Sequence, residues 1–245
     1  MWEWFCGRQI VQEVLQSGCS VKKLLVAADA SGDSIQEIAA LAAAKHIRLE
    51  RVPKRLIDSL VRGNHQGIAV QAAPPGPVDF KFFLESLPEN NTRSFIGLLD
   101  EVQDPQNVGA ILRSAAAFGC QGIVISKWRQ AGMSQAVMRA SSGAAMTVPL
   151  VEIANIGVAL ERLKEKGYWI YGASVEEGKS LERAELRFPL AIVLGNEHRG
   201  IKPILKNNCD ELLSITQTQG VQSLNVSCAA SIFFHEIHMQ SFKRA

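Results

Sequence analysis

"LLDEVQDPQNVGAILRSAAAFG", residues 98–119, decides how the rest of the chain is read. It opens as an apolar run of strand type, crosses a polar segment containing Pro105, and continues with small and apolar residues at helical spacing. A strand that turns through a short loop into a helix is half of a βαβ unit, the element that builds parallel sheets. Within the helix the only charged side chain is Arg113, set among Ala110, Ile111, Ala115 and Ala116. Two roles fit it. Its stem can pack while its head meets solvent, or a fixed guanidinium can stand at the mouth of a sheet, where its fork matches phosphate or ribose oxygens. Asn107 falls where the helix should begin, and capping a backbone N–H two or three residues on accounts for it by itself.

Outward from this stretch the alternation continues. "GIVIS", "TVPLVE", "YWIYGAS", "LAIVLGN" and "ELLSI" read as further strands, separated by helical stretches such as "IGVALERLKEKG", and a final helix follows from about Leu224. Near-continuous apolar strands spaced by helices predict an α/β fold with a mostly parallel sheet and helices on both faces. Upstream, "QAAPPGPVDF" (71–80) suits neither a helix interior nor an inner strand, and it marks a boundary. The expected organisation is a small α/β domain over residues 1–75, a linker over 76–92 and a larger α/β domain over 93–245. The first part alternates helix ("RQIVQEVLQSG"), strand ("KKLLVAA"), helix ("SIQEIAALAAAKH"), strand ("IRLE"), helix ("PKRLIDSLV") and strand ("QGIAVQAA").

Composition bounds the function. The chain has 245 residues, 47% hydrophobic and 20% charged, the balance of an ordinary globular enzyme. The five cysteines are scattered with no CxxC pair, which suggests neither a disulfide framework nor a zinc site and fits a reducing cytoplasm. No apolar run reaches the length of a membrane span, and the start has no leader pattern. "HEIH" (235–238) spaces its histidines unlike a zinc protease, so no metal is expected. There is no GxGxxG after the first strand and no GxxxxGK[ST], which removes the usual phosphate cradles of nicotinamide binding and nucleotide hydrolysis. Residues 1–75 hold 9 Lys and Arg against 7 Asp and Glu, while residues 76–245 hold 17 of each, so the net charge of +2 lies in the first part. Solvated faces explain that excess as well as a nucleic-acid partner does. "GNHQG" (63–67) reads as an exposed turn in which His65 and Gln66 are available to RNA.

Ligands of open parallel sheets bind beyond the carboxyl ends of strands. Three such ends are polar or glycine-rich: "DEVQDPQN" (100–107), "GNEHRG" (195–200) and "TQTQGVQSLN" (216–225). Taken singly, Glu197 sits in an ordinary turn, and Ser223 or Asn225 is a helix cap. Only their combination points to a site.

That combination resembles the three motifs of the SpoU family of RNA ribose 2'-O-methyltransferases, in the SPOUT superfamily. "LDEVQDPQNVGAILRSAAAFG" is similar to the first motif, "IVLGNEHRG" to the second and "SITQTQGVQSLNVSCAASIFFHE" to the third, in the family's order and spacing. The first part is similar to the ribosomal-protein-like substrate-binding domain of members that methylate a guanosine of 23S rRNA. The resemblance implies a carboxyl-terminal trefoil knot, a homodimer, RNA as partner and S-adenosylmethionine as cofactor. It implies Arg113, Asn107, Glu197, Ser223 and Asn225 as catalytic-site residues, and backbone contacts to the cofactor at Gly195, Ile215 and Leu224. A glycine at 195 would permit close backbone approach. The third motif commonly reads IPMxG, whereas this chain has "ITQTQ", with Thr216, Gln217 and Gln219 in place of Pro, Met and Gly. Alternatives within the same fold are a tRNA ribose methyltransferase and a non-catalytic RNA-binding protein; a methyltransferase acting on a small hydroxylated molecule is a third.

Overall fold

The computed structural model describes residues 2–73, 75–88, 93–128, 134–175, 177–196, 199–218 and 223–243, with the backbone alone at 135 and 243. By their contacts the residues form two compact units, Met1–Gly76 with Ser142–Thr147, and Pro77–Ser141 with Val148–Ala245.

The first unit contains β1 (Glu3–Cys6), α1 (Arg8–Gln16), β2 (Val21–Ala27), α2 (Asp33–Ala44), β3 (Leu49–Val52), α3 (Lys54–Leu60) and β4 (Ile68–Ala72). Its sheet runs β1-β4-β2-β3, with β4 antiparallel to β1 and β2, and β2 parallel to β3. Alternation along β2 divides its side chains. Leu25 and Ala27 join Ile57 of α3 in one small core, while Leu24 and Val26 are buried on the opposite side. Strand β1 has no counterpart in the sequence reading, because four residues at a chain start are too few to display a period.

The second unit contains β5 (Val78–Asp79), α4 (Phe80–Ser86), β6 (Phe95–Leu99), α5 (Pro105–Ala117), β7 (Ile123–Ser126), α6 (Gln135–Ala140), β8 (Leu150–Ile153), α7 (Ile156–Glu165), β9 (Trp169–Ser174), β10 (Lys179–Ser180), β11 (Leu190–Leu194), α8 (Pro203–Lys206), β12 (Glu211–Ser214) and α9 (Val226–Lys243). Its eight strands run β10-β12-β9-β11-β6-β7-β8-β5, and every neighbouring pair is parallel. The central strands β6 and β11 are buried along their whole length, as their unbroken apolar sequences require. On one face Ile96, Leu98, Ala191 and Val193 pack with Phe83, Leu160 and Leu205 of α4, α7 and α8. On the other, the Phe95 ring lies 5.4 Å from that of Phe234 on α9. Gly97 is held to glycine there, since a Cβ would come within 2.6 Å of Ile123 Cδ1 and 3.2 Å of Phe234.

Residues 78–86, expected within a linker, instead form β5 and α4. Asp79 caps α4 by accepting the Lys81 N–H at 2.9 Å, and Phe80 and Phe83 are buried. The proline-rich segment just before them drew the reading towards an unstructured connection. Among the described residues no helix is long and apolar enough to cross a membrane.

Candidate active site

Because the sheet is parallel, the loops after β6, β11 and β12 leave from one edge. Asp100, 3% exposed, follows β6 and donates its N–H to Leu194 O at 2.9 Å. Its carboxylate accepts the Lys202 N–H at 3.0 Å and faces Lys202 Nζ at 3.2 Å; Glu101 Oε1 faces the same ammonium at 3.0 Å. Burial works against the ammonium charge, but hydrogen bonds with Glu101 and Asp100 outweigh it and hold Lys202 above the usual lysine range. Glu101 takes the left-handed conformation, φ 58°, and its carbonyl accepts Asn196 Nδ2 at 3.0 Å. The first two loops are therefore tied by a buried acid, a lysine and an asparagine. Asp100 and Lys202 escaped the sequence reading, whose only available signal was a charged residue closing an apolar strand.

Gly195 ends β11. Asn196 and Gly200 exchange backbone hydrogen bonds of 3.1 and 2.9 Å, and a Cβ at 195 would run into the backbone of Gly200 and Ile201. The close approach that requires glycine is thus the chain's own. Glu197, between these residues, lies outside the described residues.

Helix α5 begins at Pro105, with Asp104 as its cap accepting the Gln106 N–H at 2.9 Å. Asn107 is therefore the third helical residue and does not cap the helix. Its Oδ1 instead accepts Asn225 Nδ2 at 3.0 Å, joining the first loop to the third. Asn225 caps α9, since its Oδ1 accepts the Ser227 N–H at 2.8 Å and Ser227 Oγ at 2.6 Å. Ser223 is exposed and Leu224 half-buried just before it. One α5 face carries both Asn107 and Ser114, whose Oγ meets Ser231 Oγ of α9 at 2.7 Å. Arg113 lies about 9 Å further along the axis than Asn107. It falls on the exposed strip of α5 with Gln106, Ala116 and Ala117.

Strand β12 is three places from β6, about 14 Å along the sheet. The chain leaves β12 at Ser214 and has returned to Asn107 by Asn225. Ile215 is half-buried at the start of this return. Thr216 donates its N–H to Glu182 Oε1 at 3.3 Å and its hydroxyl to Glu182 Oε2 at 3.0 Å, and Ser180 Oγ also bonds this carboxylate. Hydrogen bonding from Ser180 first, then from its own backbone N–H and from Thr216, holds Glu182 below the usual carboxylate range. Gln217 follows with its Oε1 buried and, among the described residues, without a hydrogen-bond partner. Gln219 lies outside the described residues.

An edge of this kind is where open parallel α/β sheets bind nucleotide-like ligands, and that class is the one the fold and site define. Comparison narrows it. Residues 94–235 match the SpoU rRNA Methylase family, and residues 4–78 match a family described as RNA 2'-O ribose methyltransferase substrate binding. A protein of Staphylococcus saprophyticus named for the TrmH family of tRNA/rRNA methyltransferases is 36% identical over 231 residues, 94% of this chain and 93% of that one. A solved structure described as an RNA methyltransferase of the TrmH family, from Porphyromonas gingivalis, superposes with a TM-score of 0.72 at 27% identity, covering 96% of this chain and 89% of the other. The SpoU methyltransferase AviRb of Streptomyces viridochromogenes, solved with AdoMet, shares the fold with a TM-score of 0.79 at 19% identity, covering 99% and 91%. The chain belongs to the SpoU rRNA methylase family.

Proposed function

We propose that this protein transfers a methyl group from S-adenosylmethionine to a ribose 2'-hydroxyl of RNA, the target being a guanosine of 23S rRNA. The observation that carries the reading is the joining of three separated segments at one sheet edge, by Asn196 to Glu101, Lys202 to Asp100 and Asn225 to Asn107. The orphan oxygen of Gln217 fits the cofactor, because a buried carbonyl without a donor is unfavourable and an adenine amino group is such a donor. Gln217 and the backbone at Gly195, Ile215 and Leu224 would hold the cofactor, with the carboxyl-terminal segment forming the trefoil knot.

When bound, S-adenosylmethionine supplies an electrophilic methyl on a sulfonium, whose departing thioether needs no acid. The chain's task is to orient the ribose hydroxyl and relieve it of its proton, and positioning alone can supply about 7–11 kcal/mol. Drawing a proton from a guanidinium near neutral pH is far too costly for a single site to support. Arg113 therefore serves as a cation. It grips phosphate or ribose oxygens beside the target and stabilises the developing alkoxide while the proton leaves to a phosphate oxygen or water. Glu197 and Asn107 orient it, and Ser223 and Asn225 shape the ribose pocket.

Residues 1–75 bind RNA and select the site. The chain acts in the cytoplasm as a homodimer, which the exposed apolar stripe of Ile232, Met239 and Phe242 on one face of α9 supports. The test is incubation with ribosomal and transfer RNA and labelled cofactor, followed by mapping of the label. A single 2'-O-methylguanosine in 23S rRNA is expected. Label in tRNA would transfer the reading to that substrate, and no saturable cofactor binding by calorimetry would overturn it in favour of an RNA-binding protein.

A further inference from the structure

Within the first unit lies a polar pocket of about 410 Å³, a volume typical of sites for small ligands. Its walls carry two cations, Arg8 and Lys54, and two carboxylates, Asp29 and Asp58, together with the 63–67 turn. That turn is a built feature. Gln66 adopts φ 52°, rare for a residue with a side chain, between Gly63 at 100° and Gly67 at 78°. The strained conformation places Gln66 Oε1 where it accepts the Arg8 N–H at 2.9 Å, at the start of α1, whose own N-cap, Gly7, supplies no side chain.

The same turn orients the pocket's charges. Arg8 donates Nε–H to Gln66 O at 3.4 Å and one terminal N–H to Ser31 O at 3.2 Å, so two carbonyls fix the plane of the guanidinium and leave the rest of its fork for a ligand. His65, expected in an exposed turn, is 6% exposed. Its Nδ1 accepts the Gly67 N–H at 3.0 Å, which puts the ring proton on Nε2, and that proton is donated to Asp58 Oδ1 at 2.8 Å. A buried imidazole thereby aims a largely exposed carboxylate, taking one lone pair of Oδ1 and leaving its other lone pair and all of Oδ2 available.

We infer that this pocket takes one unstacked nucleotide of the RNA, its phosphate on Arg8 and Lys54 and its guanine edge on Asp58. The inference rests on the reading of RNA as substrate and names the feature by which the first unit would choose a sequence. Opposite charges in one cavity suit a nucleotide better than a bare anion, which the carboxylates would repel. Sequence-specific recognition of RNA works mainly on splayed bases read along their edges. Guanine alone among the four bases presents adjacent N1–H and N2–H donors, a match for a carboxylate. Uracil flanks its one ring N–H with carbonyls, which a carboxylate repels.

The test uses the full chain and fluorescein-labelled oligouridylate, with and without one central guanosine. Anisotropy should show about tenfold tighter binding of the guanosine oligomer, the discrimination of one bidentate contact. Asp58→Asn keeps an oxygen for His65 and should erase the preference, the two oligomers then binding alike. Arg8→Ala and Lys54→Ala should weaken both oligomers and flatten the dependence of binding on salt. Equal affinity of the wild-type chain for the two oligomers, or a preference that survives Asp58→Asn, overturns the pocket assignment. Methylation of ribosomal RNA by the wild-type chain, measured separately, reports on the methyl-transfer reading and not on the pocket.

Discussion

Gln217→Met should move the stability of the ligand-free protein and its affinity for S-adenosylmethionine in opposite directions. Among the described residues nothing partners the buried Gln217 Oε1. An orphan of this kind costs roughly 1–3 kcal/mol, and because the residue as a whole is only half-buried, the lower end, about 1 kcal/mol, applies. Methionine matches glutamine in length and brings no polar atom. The variant should therefore be more stable without ligand, raising the unfolding temperature by about 2–4 °C for a chain of this size. With cofactor bound, the proposed hydrogen bond to Gln217 would be one that methionine cannot accept, worth about 0.5–1.5 kcal/mol net. Its loss corresponds to a dissociation constant about 2- to 12-fold weaker. Scanning calorimetry of the free chain and titration calorimetry with S-adenosylmethionine read the two effects separately. A variant that binds cofactor as tightly as the wild type, or that melts below it when free, would refute the assignment of Gln217 to the ligand.

Arg113→Lys should keep cofactor binding but lose the planar fork, lowering methyl transfer at saturating RNA by about tenfold or more in single-turnover measurements. Asn225→Ala removes the cap of α9 and should cost about 1 kcal/mol in thermal unfolding, whereas Asn225→Ser restores a capping oxygen without the amide that reaches Asn107, so stability should return while methylation stays low. Glu182 is held below its usual range by Ser180 and Thr216, so its anchoring of the loop after β12 is present above the ordinary carboxylate range and fades only as pH falls through the depressed value; cofactor titrations in acid should show this loss in the wild type and not in Glu182→Gln. Burial pushes the Cys120 thiol up to about 12, and alkylation of the native chain at pH 8 followed by mass spectrometry should leave Cys120 unmodified.

The parallel sheet was legible because its strands are uninterrupted apolar runs: every strand expected after residue 93 is present, each near its expected bounds. Short elements were not. Neither the two residues of β10 nor the two of β5 can show a period, and the prolines before α4 obscured Phe80 and Phe83. The sites divide in the same way. Asn107 and Asn225 were visible as helix-entry residues, but one-dimensional reading assigned Asn107 a cap that Asp104 performs, since Pro105 starts the helix two residues earlier. The bond between Asn107 and Asn225 joins positions 118 residues apart and has no local trace. Gly195 was flagged for the right property, absence of a side chain, but the backbone it admits is that of Gly200 and Ile201.

The departure from IPMxG acquires a physical explanation from Thr216. A proline at that position fixes φ and offers no N–H, so it stiffens a loop through its own ring. Threonine gives up that stiffness but presents two donors, and both are taken by Glu182, whose carboxylate is also bonded by Ser180. The two positions are coupled. With proline at 216 the carboxylate would lose both of those donors, and with an apolar residue at 182 the Thr216 N–H and hydroxyl would lose their acceptor. A loop held by covalent geometry has become one held by a charged hydrogen-bonded pair, which fixes the backbone between Ile215 and Gln217 while making that fixation sensitive to acid.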